Sequence, residues 1–215
     1  MKPDDDTRGY FITFEGSEGS GKTTQMGAIS DKFTDAGYEI LLTREPGGTR
    51  LGEEIRHILK HAASGVNISP EAELLLFAAS RAQLVRESIQ PALAKGKMVL
   101  CDRFMDSTTV YQGLGRQIQE GPVQMINTFA VGDVIPDLTI VIDIPAELGF
   151  ERIQHRVTDL PDRMEEENID FYEKVRQGYL VLAKALPERF VVVDGTQSQD
   201  EVTTEIWKQI RKRVI

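Results

Sequence analysis

One short stretch near the start of the chain constrains its fold more than any other feature. Gly16-Ser17-Glu18-Gly19-Ser20-Gly21-Lys22-Thr23 fits the pattern G-x-x-x-x-G-K-[ST] at every position. In that pattern the glycines let the backbone wrap a phosphate chain with its N–H groups pointing inward, at a helix N-terminus whose dipole favours anions. The lysine reaches the terminal phosphates and the Ser/Thr hydroxyl holds a magnesium ion. A glycine-rich turn can match by chance, so the context decides. Here the loop follows the β-prone run YFITFEG (10–16). Met26, Ile29 and Phe33 then recur at helical spacing as far as Gly37, a C-terminal cap.

The rest of the chain repeats this alternation. YEILLT (38–43), KMVLC (97–101), LTIVIDI (138–144) and RFVVVDG (189–195) read as four further strands, two of them near-continuous apolar runs of the kind covered on both faces. Leu51, Ile55, Ile58, Leu59 and Ala62 mark one helix. Ser69-Pro70 opens another, reaching to about Ala94 and burying Leu74, Leu75, Ala78, Ala82, Val85 and Ile89. Helical stretches follow at about 106–117 and 122–131, with a last one around Ile206, Trp207 and Ile210. Five strands alternating with helices specify an α/β fold, a doubly wound five-stranded parallel sheet flanked by helices. Ligands of such sheets bind at the C-terminal strand ends. Residues 1–8 read as a solvated tail and 9–215 as a single domain.

Composition removes several classes of function. Of 215 residues, 40% are apolar and 27% charged, which excludes wholesale disorder. No run approaches the ~18 apolar residues of a membrane span, and the acidic N-terminus lacks the apolar core of a secretory signal. The net charge of −9 speaks against a broad nucleic-acid-binding face, though a few converging cations can still hold phosphates. A lone cysteine, Cys101, allows no internal disulfide and suits a reducing cytoplasm. It falls in a strand and reads as buried. His57 and His61 fall on a surface helix and His155 on an exposed segment, so none reads as a metal ligand. No N-K-x-D motif occurs, so guanine recognition is not supported.

Cationic islands supplement the loop: T-R-E-P-G-G-T (43–49), C-D-R-F (101–104) and an arginine-bearing stretch from 152 to 163. Together F-E-G-S-E-G-S-G-K-T-T, T-R-E-P-G-G-T, L-L-F-A-A-S-R-A-Q-L, D-R-F-x-D-S-T-x-x-Y-Q-G and P-D-L-T-I-V-I-D resemble the bacterial thymidylate kinases, P-loop nucleoside monophosphate kinases with a mobile lid. The resemblance runs from about residue 9 to the C-terminus. It implies a cytoplasmic homodimer that transfers the γ-phosphoryl group of ATP to dTMP with Mg²⁺, and binds neither nucleic acid nor membrane. Gly16 through Thr24, including Lys22, would bind ATP, with Thr23 and Asp102 at the metal.

By the same resemblance, Arg103 clamps the acceptor phosphate, and a guanidinium fork suits that role. An ion pair with neighbouring groups is the structural alternative. Glu18 is an acid inside a phosphate-binding loop, electrostatically odd unless it faces elsewhere; the resemblance turns it toward the acceptor sugar. Arg44 falls near the acceptor phosphate, or pairs with Glu45 at the surface. Phe77 and Arg81, four apart on one helix, would stack on the pyrimidine and hydrogen-bond its carbonyl. Without the resemblance they read as a core aromatic and a solvated cation. Thr108 and Gln112 would read the base, and Tyr111 lie against the sugar. ERIQHRVTDLPDRMEEE (151–167) resembles the lid. The loop holds no arginine between Gly16 and Lys22, so lid arginines would supply the transition-state cation, with Arg152 and Arg156 on one helical face and Arg163 beyond Pro161. Residue 154, often arginine in such lids, is glutamine here. The attacking monophosphate oxygen is already anionic, so no general base is needed.

Overall fold

The computed structural model describes residues 8–61, 67–155 and 167–215. Among them five strands form one parallel sheet in the order β2-β3-β1-β4-β5. The strands are β1 (Phe11–Glu15), β2 (Ile40–Arg44), β3 (Met98–Asp102), β4 (Leu138–Asp143) and β5 (Phe190–Asp194). Chain order reverses direction across β1 and β3, so the loops leaving these two neighbours part and open a crevice between them. Their register pairs Phe14 with Asp102, which sets the phosphate-binding loop beside the D-R-F segment.

Strand parity sorts the core. Ile12, Phe14, Leu100 and Ile140 face α1 (Lys22–Asp35) and α9 (Gln199–Arg213), packing with Ile29, Phe33, Ile206 and Ile210. Phe11, Val99 and Cys101 face the other way, against Leu84, Val85, Ile89 and Leu93. Glu15 shares the parity of Phe11, so it is driven into this second layer, where it is fully buried. That layer holds α3 (Pro70–Leu84), α4 (Gln90–Ala94), α5 (Met105–Thr108), α6 (Glu120–Val131) and α8 (Ile169–Ala185). At the sheet's C-terminal end lie α2 (Arg50–His61), packed on α3, and α7 (Ala146–Gln154), packed on α8.

Caps behave as their residue types require. The Ser69 hydroxyl accepts from the Ala72 N–H with Pro70 in the first turn, and Gly37 adopts φ +86° where its N–H meets Thr34 O. The helix from Ser69 to Ala94 is not uniform, because Val85–Ile89 winds as a π-helix in which Gln90 N–H reaches Val85 O. Pro91 lacks the N–H that would bond residue 87 and its ring crowds that carbonyl; the widened turn absorbs both defects. A second π-helical segment, Thr109–Gly115, continues α5. Leu75, expected in the core, is 56% exposed, and Ala82 is half-buried. The sequence reading did not pick out α8, although Asn168 caps Phe171 N–H and Phe171, Tyr172, Val175 and Tyr179 follow at helical spacing. Residues 1–7 of the expected tail, Ala62, and most of the lid, with Arg156 and Arg163, lie outside the described residues. Arg8, also assigned to the tail, pairs with Asp137 at 3.1 Å.

Candidate active site

The cleft at the β1–β3 crevice is lined by Glu18, Gly19, Lys22 and Thr23 from the loop and the start of α1, Arg44 at the end of β2 and Pro46 from the turn after it, Phe77 from α3, Asp102 at the end of β3, and Arg103, Thr108, Tyr111 and Gln112 from the segment that follows. The structure thus brings to one cleft seven of the eight side chains assigned to the acceptor. Arg81 is the eighth, and it stands one layer behind.

The loop has the conformation its glycines permit. Gly16, Gly19 and Gly21 have φ of +138°, +75° and +91°, values an L side chain resists. Gly21 precedes α1, so Ser20 through Thr24 cluster about that helix N-terminus, with Thr23 and Thr24 exposed and Ser17 and Ser20 buried. Lys22 folds over the loop, its Nζ donating to Gly16 O (3.1 Å) and Ser17 O (2.7 Å). Burial, then the nearby Arg103, lowers its pKa to about 8. Thr23 Oγ1 donates to Asp102 Oδ2 at 2.5 Å. These two hard oxygen donors meet at the loop mouth, a set that suits Mg²⁺, which takes one or two protein oxygens and fills its octahedron with phosphate and water. Among the described residues no cluster of three His, Cys, Asp or Glu could hold a metal unaided.

Arg103 sits at φ +67°, a left-handed conformation that costs a non-glycine residue about 1–3 kcal/mol and clusters at functional sites. Its Nη1 donates to Gly16 O, Ser107 Oγ and Tyr179 Oη, and its Nη2 to Glu18 Oε1 at 2.6 Å. Burial opposes the charge, but Glu18 and then Tyr111 more than offset it and hold the pKa well above the usual value. Glu18 accepts the Tyr111 hydroxyl on its other oxygen at 2.5 Å. The loop carboxylate therefore does turn away from the phosphate cradle, across the cleft to the Arg103–Tyr111 side. Burial raises the Tyr111 pKa well above normal, so it remains a donor.

Behind this wall lies Glu15, which the sequence reading did not single out. Its Oε2 accepts from Ser107 (2.6 Å) and Tyr179 (2.7 Å), and its Oε1 from Phe104 N–H (2.8 Å). Burial, then the charge of Asp106, raises its pKa to about 7. It pins the turn on which Arg103 stands. Strand parity carried a signal for it, since Glu15 is two residues from Thr13 and four from Phe11.

Arg81 is fully buried. It donates to both oxygens of Glu45, to Asn127 Oδ1 and, at 2.6 Å, to Thr108 Oγ1. Phe77 reaches the cleft, but Arg81 does not project beside it; the guanidinium knits the turn after β2 to Thr108 and α6. Asn127, another residue not anticipated, donates to Met105 O and Thr109 Oγ1. Arg44 pairs with Glu53 at 2.9 Å rather than with Glu45; both members are exposed, a geometry worth about 0–1 kcal/mol. Arg56 and Lys60 of α2 also line the cleft, two cations that sequence reading passed over.

Helix α7 closes on the loop. A Cβ on Gly19 would lie 2.6 Å from Gly149 O, and one on Gly149 would lie 2.7 Å from Glu18 O, so only glycines allow this approach. The approach lets Arg152 Nη1 donate to Gly19 O at 3.1 Å, which sets a cation beside the loop that has no arginine of its own. Gln154 and His155 are exposed.

Comparison with known proteins agrees with this geometry. The family model described as Thymidylate kinase matches residues 14–206. A thymidylate kinase of Geobacter sulfurreducens is 46% identical, the match covering 96% of this chain and 98% of the relative. One from Deinococcus radiodurans is 44% identical over the same shares. The crystal structure of thymidylate kinase from Ehrlichia chaffeensis superposes with a TM-score of 0.75 at 35% identity, covering 94% of this chain and 99% of that one.

Proposed function

The chain belongs to the thymidylate kinase family, and from that membership we propose that it transfers the γ-phosphoryl group of ATP to the 5′-monophosphate of dTMP, giving dTDP and ADP. The observation that carries the reading is the single cleft in which the phosphate-binding loop faces Phe77, Thr108, Tyr111 and Gln112 across Arg103. One end of that cleft suits a phosphate chain, the other a planar base, and an arginine lies between them.

Catalysis of this kind is positioning and charge neutralisation. Backbone N–H groups of Gly16 through Thr24 cradle the donor phosphates, and Lys22 leaves the loop carbonyls to meet them. Thr23 and Asp102 would hold Mg²⁺, which would supply neutralisation of charge on the donor phosphates. Arg103 grips the acceptor phosphate, aided by Arg44. Glu18 and Tyr111 face the sugar, where Tyr111 disfavours a 2′-hydroxyl. Phe77 stacks on the base, and Thr108 and Gln112 read its edge. Arg81 acts through Thr108 and Glu45, supporting the base site from behind. Arg152 approaches the transferring group, with Arg156 the second lid candidate. Residues 9–215 work as one kinase domain whose lid spans about 151–167.

A coupled assay across nucleoside monophosphates tests this. dTMP should be the best acceptor, with dUMP only modestly poorer because one methyl is worth about 1–3 kcal/mol. Purine monophosphates should be far poorer, since their mismatched edges leave buried polar groups unpaired. AMP or GMP as the best acceptor would refute the assignment, and ATP binding without acceptor-dependent turnover would make the protein a binding module.

The protein works as a cytoplasmic homodimer in this reading. Its lone reduced thiol supports the compartment. For the dimer, the support is a set of exposed apolar side chains on three helices of which α2 packs on α3 and α3 on α6: Ile58 on α2, Leu75 on α3, and Met125 and Phe129, 74% and 86% exposed, on α6. Such exposure is uncommon on a monomer surface. Light scattering on the wild type and on Phe129→Asp tests it; a monomeric wild type refutes it.

A further inference from the structure

One side chain of the base-reading wall has its orientation dictated from behind. Gln112 lines the cleft, and its Nε2 donates to Glu73 Oε1 at 2.9 Å. Glu73 comes from the first turn of α3, is 1% exposed, and faces Arg116 Nε at 3.3 Å. A carboxylate held against a guanidinium only accepts hydrogen bonds. The amide atom that touches it is therefore the nitrogen, because a reversed amide would set two oxygens against each other. Gln112 Oε1 is then turned away from Glu73. No described residue donates to it, and it is not among the buried polar atoms left without a partner. Gln112 lines the cleft and is itself 1% exposed, so Oε1 is the amide atom left to meet a bound base.

We propose that Glu73 is a specificity-positioning residue: by locking the Gln112 amide it presents an obligatory acceptor to the base, which selects a pyrimidine with an N–H at N3 over one with a lone pair there. The inference rests on the dTMP reading above. The pairing edge of thymine offers two carbonyl acceptors and one donor, N3–H, so an acceptor that cannot flip is satisfied by N3–H alone. Cytosine carries a lone pair at N3 and would set acceptor against acceptor. An unrestrained glutamine would turn its amide over and serve either base; the ion-paired carboxylate of Glu73 removes that freedom. Sites built to pair a polar group reject the mismatched analogue strongly, since the buried group is left unpaired.

Glu73→Gln is the test, because it keeps the shape of the side chain but can donate or accept, freeing Gln112 to take either orientation. The ratio of kcat/KM for dTMP to kcat/KM for dCMP should fall at least tenfold, through a gain for dCMP as well as a loss for dTMP. The dTMP to dUMP ratio should stay within about twofold, both bases carrying N3–H. A purely structural role would depress all pyrimidines together and leave the ratios unchanged. Should Glu73→Gln fail to fold, as judged by its circular dichroism and melt, Gln112→Leu replaces it: removing the acceptor outright should erode the same ratio. An unchanged dTMP to dCMP ratio in a folded variant overturns the proposal while leaving the dTMP reading intact. A wild-type enzyme that turns over no dTMP, or prefers dCMP, overturns the parent reading instead.

Discussion

Lys22 carries its charge where water is scarce, and that has a measurable signature. Its pKa of about 8 reflects burial first and Arg103 second. A bound phosphate chain stabilises the ammonium form and raises that pKa, so binding ATP above pH 8 must draw a proton from solution. Affinity for ATP should therefore fall as pH rises through about 8. Calorimetry at pH 8.5 in buffers of different ionisation enthalpy should show proton uptake in the wild type and none in Lys22→Ala; equal uptake in both refutes the assignment. The same variant should lose on the order of 10²–10³ in rate, as when one pre-organised charge donor is removed, with no loss of melting temperature. Arg152 makes a second residue-scale case. It lies beside Gly19 O, and the role proposed for it, on the transferring group rather than in ground-state binding, predicts that Arg152→Ala lowers kcat at least tenfold, or ~1.4 kcal/mol of barrier, with KM for dTMP little changed. Gln154→Ala should be mild, since its exposed amide brings no charge. Single-turnover rates decide, and a Gln154 variant slower than the Arg152 variant would move the cation elsewhere.

At the scale of elements, the close approach of α7 to the loop depends on two missing side chains. Gly149→Ala places a methyl 2.7 Å from a backbone oxygen, Glu18 O, which cannot swing aside as a side-chain tip could. The helix must shift, at about 1–3 kcal/mol of stability for overpacking. Arg152 shifts with it, so the variant should show a lowered melt and a lowered kcat together. A melt unchanged from wild type would mean the helix is not seated on the loop. Elements of this kind were partly legible in advance. The strands, the loop and the Ser69-Pro70 helix start rest on local chemistry, where neighbours in sequence settle the conformation. Leu75 misled because its helical spacing matched the core, whereas among the described residues the neighbours that would cover that face are absent. Arg81, which without the family resemblance reads as a solvated cation, is the opposite case. A cation four residues from Phe77 reads as exposed until Glu45, Asn127 and Thr108, from three distant segments, are seen to surround it. Glu15 stayed hidden likewise, since Ser107 and Tyr179 lie far along the chain.

Across the whole molecule, Glu15 tilts the balance between folded and unfolded states with pH. Its folded pKa, about 7, stands above the ordinary 4.5 through burial and then Asp106. The folded state thus holds its proton more tightly, and stability from this group is fully present below about 4.5 and lost as pH rises through 7. Glu15→Gln mimics the protonated form and should remove that slope. Compared by urea unfolding, the wild type should lose stability relative to the variant between pH 5 and pH 8. A constant difference across that range would show that Glu15 titrates normally.

The one cysteine has a consequence of another kind. Cys101 has no exposed surface, lies in β3 between β1 and β2, and has its thiol pKa raised by burial and then by Glu45. No second thiol exists in the chain. A thiol-reactive dye can therefore combine with this protein only after β3 has been uncovered, and the labelling half-life becomes a clock for the opening of the strand that bears Asp102 and Arg103. Ligands that bind only the closed sheet slow that clock by the factor 1 + [L]/Kd, about a hundredfold at 100 Kd. Nucleotide affinities could then be read from a colour change in the absence of any turnover.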